Sequence, residues 1–211
     1  MQLYLSPTSP FSRLTLITAI IANHTQLKLN FVNPWDNPES LTTHNPFSQI
    51  PTLISDDNHT LYQTSLICQF LHPDAFVNNA NNQANLNLFA YAYSLIEQIV
   101  KAFSLKHFAP KTQPEHPFIE RAQQSIIRAL HSAPELQANS NDYAQIILAC
   151  AFDYLSLRQP TLTAHLSASN QQALHAIQQR AILSLTHNQS LQNRPQTPSE
   201  LGFNEAKDWQ V

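Results

Sequence analysis

Asn45-Pro46-Phe47-Ser48-Gln49-Ile50-Pro51-Thr52-Leu53 is the stretch of sequence that decides the fold. The polar loop ends at Pro51, and the residues after it favour a strand. A proline that opens a strand after a loop is a candidate for a cis peptide, so we predict a cis Ile50–Pro51 bond. A cis bond there turns the N–H and C=O of Ile50 outward, where they can pair with a bound peptide as an added strand does. The alternative is an ordinary trans proline at a strand start.

The residues that follow this stretch have the pattern of a hairpin and then a helix. Residues 51–54 and 60–62 are short apolar runs on either side of the polar residues 56–58. Two such runs around a polar turn predict a β-hairpin. Residues 63–71 then show helical spacing of their apolar side chains, so the hairpin leads directly into a helix.

The residues that precede this stretch predict a strand, a helix and a second strand. Residues 2–5 are a short apolar run, and a turn over residues 6–10 leads into a helical pattern over residues 11–23. Residues 27–32 alternate apolar and polar side chains, as a half-buried strand does. Strand, helix, strand, hairpin and helix is the thioredoxin order, so we predict an α/β, thioredoxin-like N-terminal domain.

The rest of the chain predicts a second domain of helices only. Residues 72–84 are polar and rich in asparagine, which is typical of a linker. Only helical periods follow, and the predicted helices cover about residues 86–107, 117–130, 146–157 and 170–185. We therefore predict a thioredoxin-like domain over residues 1–74 and an all-α helical bundle over residues 85–211.

The overall composition excludes several classes of protein. Hydrophobic residues make up 43% of the 211 residues and the formal net charge is -3, so the chain can bury a core but has no basic excess for nucleic acid or an anionic membrane. No run is long enough to cross a bilayer and the N-terminus is unlike a signal peptide, which predicts a cytoplasmic protein. The only glycine, Gly202, excludes a glycine-rich phosphate loop, and the scattered histidines have no metal-ligand spacing, so we expect no metal site.

A second motif, Ser9-Pro10-Phe11-Ser12-Arg13, lies at the turn from the first strand into the first helix. Helix N-termini present unpaired N–H groups and a partial positive charge, so a thiolate placed there is stabilised. A hydroxyl at the cap position can donate a hydrogen bond to that sulfur. The alternative is that Ser9 only caps the helix, with Pro10 at its first position.

A third motif, Gln63-Thr64-Ser65, lies where the last strand of the hairpin runs into the next helix. We predict that Thr64 caps this helix. The Thr64 N–H and hydroxyl, together with the Gln63 amide, can bind an amino-acid head group. The alternative is again helix capping without a ligand.

The order and spacing of the three motifs resemble the glutathione transferase superfamily. That family has a Ser, Tyr or Cys before the first helix, an Asn-Pro-x-x-x-Val/Ile-Pro-x-Leu segment, and Glu/Gln-Ser/Thr at the start of the third helix. Residues 6–13, 34–38 and 45–53 look like bacterial members with a serine-type site, and residues 142–158 look like the family's sixth helix. The glycine that is frequent in the family's Asn-Pro segment is Ser48 here.

This resemblance implies a glutathione transferase that conjugates or transfers glutathione, as co-substrate, to small hydrophobic electrophiles in detoxification. We hypothesise that the γ-glutamyl head binds at Gln63 and Thr64 and that the cysteinyl part pairs with Ile50 before Pro51. Gln49 reaches the glycyl carboxylate in this hypothesis. Ser9 is the catalytic residue, which donates a hydrogen bond to the thiolate, and the helical domain holds the electrophile.

Several alternatives remain open at this stage. Tyr4 is a second candidate donor, because some transferase classes use a tyrosine at the end of the first strand; the other interpretation is that Tyr4 packs in the sheet. The fold also hosts binding or scaffold proteins without turnover, and glutathione-dependent isomerases or reductases.

We also predict a homodimer. The helix over residues 86–107 carries more apolar surface than one face can bury, and relatives commonly pair this region with the first domain of a second copy.

Overall fold

One sheet is built from strands β1 (Gln2–Leu5), β2 (Lys28–Phe31), β3 (Thr52–Ile54) and β4 (Thr60–Leu61). The computed structural model describes residues 1–76, 83–112 and 114–202. The strand order is β2-β1-β3-β4, in which β1 is parallel to β2 and antiparallel to β3, and β3 is antiparallel to β4. This topology confirms the thioredoxin-like domain and the predicted hairpin.

Helices cover both faces of the sheet. Helices α1 (Pro10–Ile21) and α3 (Thr64–Leu71) contact each other, and the short helix α2 (Glu39–Thr42) follows β2. Leu41 of α2 packs with Tyr4 and Ile54 in one buried cluster. Side chains alternate between the two faces of a strand, so Leu3 and Leu5, both fully buried, point to the face opposite Tyr4.

Helix α1 is buried on nearly all sides, rather than on the single face that its sequence pattern suggested. Its Arg13 is 7% exposed, and the guanidinium donates a hydrogen bond of 2.8 Å to the carbonyl of Leu183. Leu183 lies in a C-terminal segment that contains the short helices α8 (Ala181–Ser184) and α9 (Asn188–Leu191). This contact spans 170 residues of sequence and joins the C-terminal segment to α1.

Three of the four helices predicted for the second domain are present with bounds shifted by a few residues, and the fourth is shorter than predicted. They are α4 (Gln83–Phe108), α5 (Pro117–His131), α6 (Tyr143–Arg158) and α7 (Ala168–Ile177), with a 3₁₀ turn over Pro160–His165 between α6 and α7. Helix α6 is buried from Tyr143 through Leu155, which makes it the centre of this bundle. Across the described residues, no helix combines the length and the apolar character needed to cross a membrane.

The structure differs from the predicted domain boundaries at the C-terminal end. Two compact units form, one from Met1–Gln83 with the chain from Gln179 onward, and one from Ala84–Gln178. The prediction of a single helix over residues 170–185 is wrong, because α7 ends at Ile177 and Arg180 has an extended backbone before α8. The last segment therefore packs on the N-terminal unit through contacts such as that of Arg13. Of the predicted linker, residues 77–82 lie outside the described residues.

Candidate functional site

The three sequence motifs of the first unit meet at one end of the sheet. β1 is antiparallel to β3, with Tyr4 opposite Thr52, so the C-terminal end of β1 lies beside the start of β3. β3 is antiparallel to β4, with Leu53 opposite Leu61, so the C-terminal end of β4 lies there too. The turn into α1, the loop before β3 and the turn into α3 consequently share this end.

Ser9 caps helix α1, as predicted. Its Oγ accepts a hydrogen bond from the Ser12 N–H at 3.2 Å, and Pro10 occupies the first helical position. Ser12 is buried, and its own Oγ accepts a hydrogen bond from the Ser6 N–H at 3.3 Å. Among the described residues the Ser9 hydroxyl has no acceptor for its proton. The hydroxyl is half-buried and can therefore donate to a bound group.

The Ile50–Pro51 peptide bond is cis, which confirms the prediction. The loop before it is held by Asn45, whose side chain is fully buried. Asn45 Nδ2 donates to the carbonyl of Gln49 at 3.0 Å and to Thr52 Oγ1 at 3.0 Å. Asn45 Oδ1 accepts from the Phe47 N–H at 3.0 Å, so one side chain joins three points of the loop.

Ser48 takes the left-handed backbone conformation that glycine adopts most readily, with φ at 49°. Its hydroxyl donates a hydrogen bond of 3.1 Å to the carbonyl of Pro34, in the 3₁₀ turn Pro34–Asp36. The serine that replaces the family's frequent glycine thus keeps the loop's path and adds a contact to a neighbouring turn.

The N-terminus of α3 lacks a side-chain cap. Gln63 is the cap residue, so the prediction that Thr64 is the cap was wrong by one position, and Thr64 is the first helical residue. The Gln63 side chain makes no capping hydrogen bond and is exposed, whereas Thr64 is buried. Because the first turn of a helix has N–H groups without intrahelical partners, this end presents donors that an anion can accept from.

A ring contact joins the loop of the Asn45–Leu53 stretch to the residue that precedes the third motif. The Phe47 ring lies edge-on to the Tyr62 ring, with centroids 5.7 Å apart and an interplanar angle of 63°. Phe47 precedes the cis bond, and Tyr62 immediately precedes the cap of α3. Both rings are exposed, so the contact holds two site loops together at the surface.

Gln49 and Tyr4 differ in exposure: the first side chain is open to solvent and the second is buried. The Gln49 side chain is exposed, and its carbonyl already accepts hydrogen bonds from Asn45 Nδ2 and from Thr52 Oγ1 at 2.8 Å. Tyr4 is 8% exposed and lies in the cluster with Leu41 and Ile54, which matches the interpretation that it packs in the sheet.

The role of Asn45 was not predicted from the sequence. Asn45 organises the loop that carries Gln49 and Ile50. The available signal was an asparagine directly before a proline, because asparagine often bonds to the backbone two residues on. That its side chain is fully buried is visible only in the tertiary structure.

The helical unit contains a cavity of about 370 Å³ between α4 and α5. Its lining residues are Ala90, Tyr91, Ser94, Leu95, Gln98, Ser125, Ile126 and Ala129. The Tyr91 hydroxyl donates a hydrogen bond of 2.8 Å to the Ala129 carbonyl, and burial raises the pKa of Tyr91 to about 12. Tyr91 is therefore protonated at neutral pH, and its hydrogen bond holds it in place in the cavity wall.

The first unit matches a known family. Residues 8–73 match the sequence model described as the glutathione S-transferase, N-terminal domain. This range contains the second and third motifs as well as the cis-proline loop. No curated protein sequence matches the chain.

Solved structures share the fold of most of the chain. A glutathione transferase family member from Pseudomonas fluorescens Pf-5, solved with bound glutathione, has a TM-score of 0.73 at 24% identity, over 88% of this chain and 98% of that chain. A glutathione S-transferase from Methylobacillus flagellatus KT, with GSH bound, has a TM-score of 0.67 at 23% identity, over 88% and 98%. One from Methylobacterium radiotolerans JCM 2831, in complex with glutathione sulfonate, has a TM-score of 0.71 at 18% identity, over 87% and 92%.

Proposed function

We propose that this chain, whose residues 8–73 match the glutathione S-transferase N-terminal domain, binds glutathione and transfers it to small hydrophobic electrophiles. The observation that carries the proposal is the meeting of three motifs at one end of the sheet. There the Ser9 hydroxyl has a proton to donate, and the N-terminus of α3 has N–H groups to offer. Relatives with the same fold hold glutathione or glutathione sulfonate.

Ser9 acts as the hydrogen-bond donor to the glutathione thiolate. Its Oγ is already oriented by the Ser12 N–H, which leaves the hydroxyl proton for the sulfur. The partial positive charge at the N-terminus of α1 favours the same anion. A thiol pKa lowered by about two units corresponds to roughly 2.7 kcal/mol of differential stabilisation. Ser9 keeps its own proton throughout, because it donates without transferring it.

The γ-glutamyl head of glutathione binds at the N-terminus of α3. Its α-carboxylate accepts from the Thr64 N–H and hydroxyl, where the helix has no side-chain cap of its own. The exposed Gln63 amide lies next to this end and bonds the remaining polar atoms of the head group. Thr64 is buried, so its backbone position is set by packing and the ligand finds it already in place.

The cysteinyl and glycyl parts bind along the loop before β3. The ladder between β1 and β3 ends at the pair of Tyr4 and Thr52, so Ile50 lies beyond it and its peptide groups pair with the ligand backbone. Pro51 follows as the buried start of the strand segment. The exposed Gln49 side chain reaches the glycyl carboxylate.

The chemical step is attack by the thiolate on an electrophilic carbon. With an aryl halide a carbon–sulfur bond forms, the halide leaves with its bonding electrons, and the thiol proton goes to solvent. The electrophile is held by apolar side chains of the helical unit. Holding both reactants removes most of the entropic cost of their encounter, which is the main contribution of that unit.

The experiment that tests this function combines binding and turnover. We expect retention on immobilised glutathione, a thermal shift with millimolar glutathione, and conjugation of a generic aryl halide. Binding without turnover across a panel of electrophiles would contradict the transferase function and favour a scaffold role. The absence of both retention and a thermal shift would exclude every glutathione-dependent function.

The homodimer is supported by an exposed apolar group on the first unit. Leu66 and Phe70 lie one turn apart on α3 and are 53% and 49% exposed, and Phe47 is 64% exposed. Over residues 86–100 of α4, five of the nine apolar side chains larger than alanine are half-buried and four are buried, so the helix keeps apolar surface to cover. A stable pairing of these surfaces buries on the order of 1,600 Å² in total.

Light scattering after size-exclusion chromatography decides the oligomeric state. We expect twice the 23.8 kDa mass of one chain at micromolar concentration, and a monomer for the double variant Leu66→Asp, Phe70→Glu. The wild-type chain eluting with the mass of a single copy would contradict the dimer.

A further inference from the structure

Two histidines of the helical unit bring their ring nitrogens together. His131 Nε2 lies 3.2 Å from His165 Nδ1, and the ring centroids are 5.2 Å apart at an interplanar angle of 65°. The two residues are 34 positions apart in the sequence; His131 is exposed and His165 is half-buried. Neither has a part in the proposed glutathione chemistry.

The fold holds both backbones in place. His131 is the last residue of α5, and His165 is the last residue of the 3₁₀ turn Pro160–His165, which contacts α5. The neighbouring residues Leu130 and Leu166 are 2% and 4% exposed. Each histidine is thus anchored by a buried leucine, while its ring stays accessible to solvent.

The electrostatic setting favours a cation. The last carbonyl groups of a helix have no intrahelical donors and carry a partial negative charge, and two helical segments end here. The nearby cation on α5, Arg128, donates a hydrogen bond to Ser125 Oγ at 3.0 Å, one turn back toward the N-terminus. Its guanidinium is therefore directed away from the C-terminal end of α5.

The nitrogen–nitrogen distance fits shared coordination. Zinc–imidazole bonds of about 2.0–2.1 Å at a tetrahedral angle place two nitrogens about 3.3 Å apart. We propose that His131 and His165 form a binding site for a borderline divalent transition-metal ion such as Zn²⁺ or Cu²⁺. Within the described residues no group of three or more His, Cys, Asp or Glu is placed to hold a metal, so two protein ligands bind the ion and water completes its shell.

Because water occupies the remaining positions, the ion is exchangeable rather than structural. A structural zinc site has four protein ligands and stabilises the fold outright, whereas this pair binds an ion to a unit that folds without it. The rival explanation of the short distance is a hydrogen bond in which one neutral imidazole donates to the other. The two explanations differ in one measurable property, the affinity for a metal.

The test is titration with Zn²⁺ followed by calorimetry, and with Cu²⁺ followed by electron paramagnetic resonance, in buffer without glutathione because its thiol binds metals. We expect His131→Ala and His165→Ala each to weaken the affinity of one site by roughly tenfold or more. In the resonance spectrum the wild-type chain shows two coordinated nitrogens, and each variant loses one. Melting temperatures without metal confirm that the variants are folded.

His175→Ala is the matched control, because His175 is an exposed histidine of α7 in the same unit. A histidine other than these three that binds metal contributes equally to all the proteins and cancels in the comparison. Unchanged Zn²⁺ affinity and an unchanged Cu²⁺ spectrum in both His131→Ala and His165→Ala would overturn the site and leave the hydrogen bond as the explanation. Retention on immobilised glutathione, measured without metal, is expected to be the same in all four proteins, so this result is independent of the proposed function.

Discussion

The two helix N-termini at the site end of the sheet are finished in different ways. Helix α1 begins with a side-chain cap, Ser9, and with Pro10, which has no N–H to satisfy. Helix α3 begins with Gln63, which makes no side-chain cap, and with Thr64, whose N–H and hydroxyl lie at the helix end. Both helix ends carry the same partial positive charge. Only α1 has a cap side chain that accepts a hydrogen bond from one of its first N–H groups.

This difference separates the two tasks of the site. The capped end offers a single hydroxyl proton in a fixed position, which suits one polarised atom such as a thiolate sulfur. The open end offers several N–H groups, which suits a carboxylate. We therefore expect changes at α1 to affect turnover and changes at α3 to affect binding, and the variants below are chosen to test that separation.

The largest effect is expected for Asn45→Ala, which removes the support of the loop between the two ends. The buried side chain makes three hydrogen bonds, and its loss leaves the Phe47 N–H without its partner. We expect the free energy of unfolding to fall by about 3 kcal/mol, measured by urea denaturation, with loss of glutathione retention.

Asn33→Ala is the control for this change. The Asn33 side chain accepts one hydrogen bond, from the Trp35 N–H at 3.3 Å, and is exposed. We expect a loss of about 0.5 kcal/mol or less. Equal losses in the two variants would mean that Asn45 does not organise the loop.

Ser9→Ala is expected to lower kcat/KM about a hundredfold, or roughly 2.7 kcal/mol, while glutathione affinity stays within a few-fold. The reason is that the hydroxyl acts on the thiolate, whereas the head-group contacts at Gln63 and Thr64 remain. Loss of the cap also costs about 1 kcal/mol of stability, so activity is measured well below the melting temperature.

Ser9→Thr keeps both the cap and the donor, and we expect it to retain most of the activity. Tyr4→Phe keeps the buried ring and is expected to be active. A fully active Ser9→Ala together with an inactive Tyr4→Phe would show that Tyr4 is the donor.

Thr64→Val is expected to show the opposite pattern. It removes one hydroxyl from the open end of α3 while preserving shape, so glutathione affinity falls about tenfold, or roughly 1.4 kcal/mol, with kcat nearly unchanged. Calorimetry with glutathione and steady-state kinetics measure the two quantities. Ser65→Ala, one residue further into the helix, serves as the control, and a fall in kcat without a fall in affinity would reverse the assignment of the two ends.

Tyr91→Phe, in the other unit, is expected to have the smallest effect. It removes the hydrogen bond to the Ala129 carbonyl, which costs about 1 kcal/mol of stability at pH 7 and leaves glutathione affinity unchanged. Burial raises the pKa of Tyr91 to about 12. As the pH rises above the ordinary tyrosine pKa of about 10, the hydroxyl therefore loses its proton in the unfolded chain before it does so in the folded chain.

The stability that Tyr91 contributes is therefore complete below about pH 10 and is lost as the pH rises toward 12. Urea denaturation at pH 8 and at pH 11 checks this. We expect the difference in the free energy of unfolding between wild type and Tyr91→Phe to be smaller at pH 11. A difference in the free energy of unfolding that is the same at both pH values would contradict the view that the Tyr91 hydroxyl is buried and protonated.

Local patterns in the sequence were sufficient for much of the fold. The thioredoxin order, the cap at Ser9 and the cis bond before Pro51 each depend on a few neighbouring residues, and the structure confirms them. The break at Arg180 was missed, because it depends on contacts of the following segment with α1 rather than on its own periodicity.

The sequence by itself determined the strands, most of the helices and most of the motifs that begin or end them, because hydrogen bonds and apolar periods within about ten residues decide those features. Only the tertiary structure decided which motifs lie together. Strand register brings the turns after β1 and β4 to the start of β3, and packing brings His131 to His165 across 34 residues. Such contacts close long loops of chain, and their formation depends on the whole core rather than on any one stretch of residues.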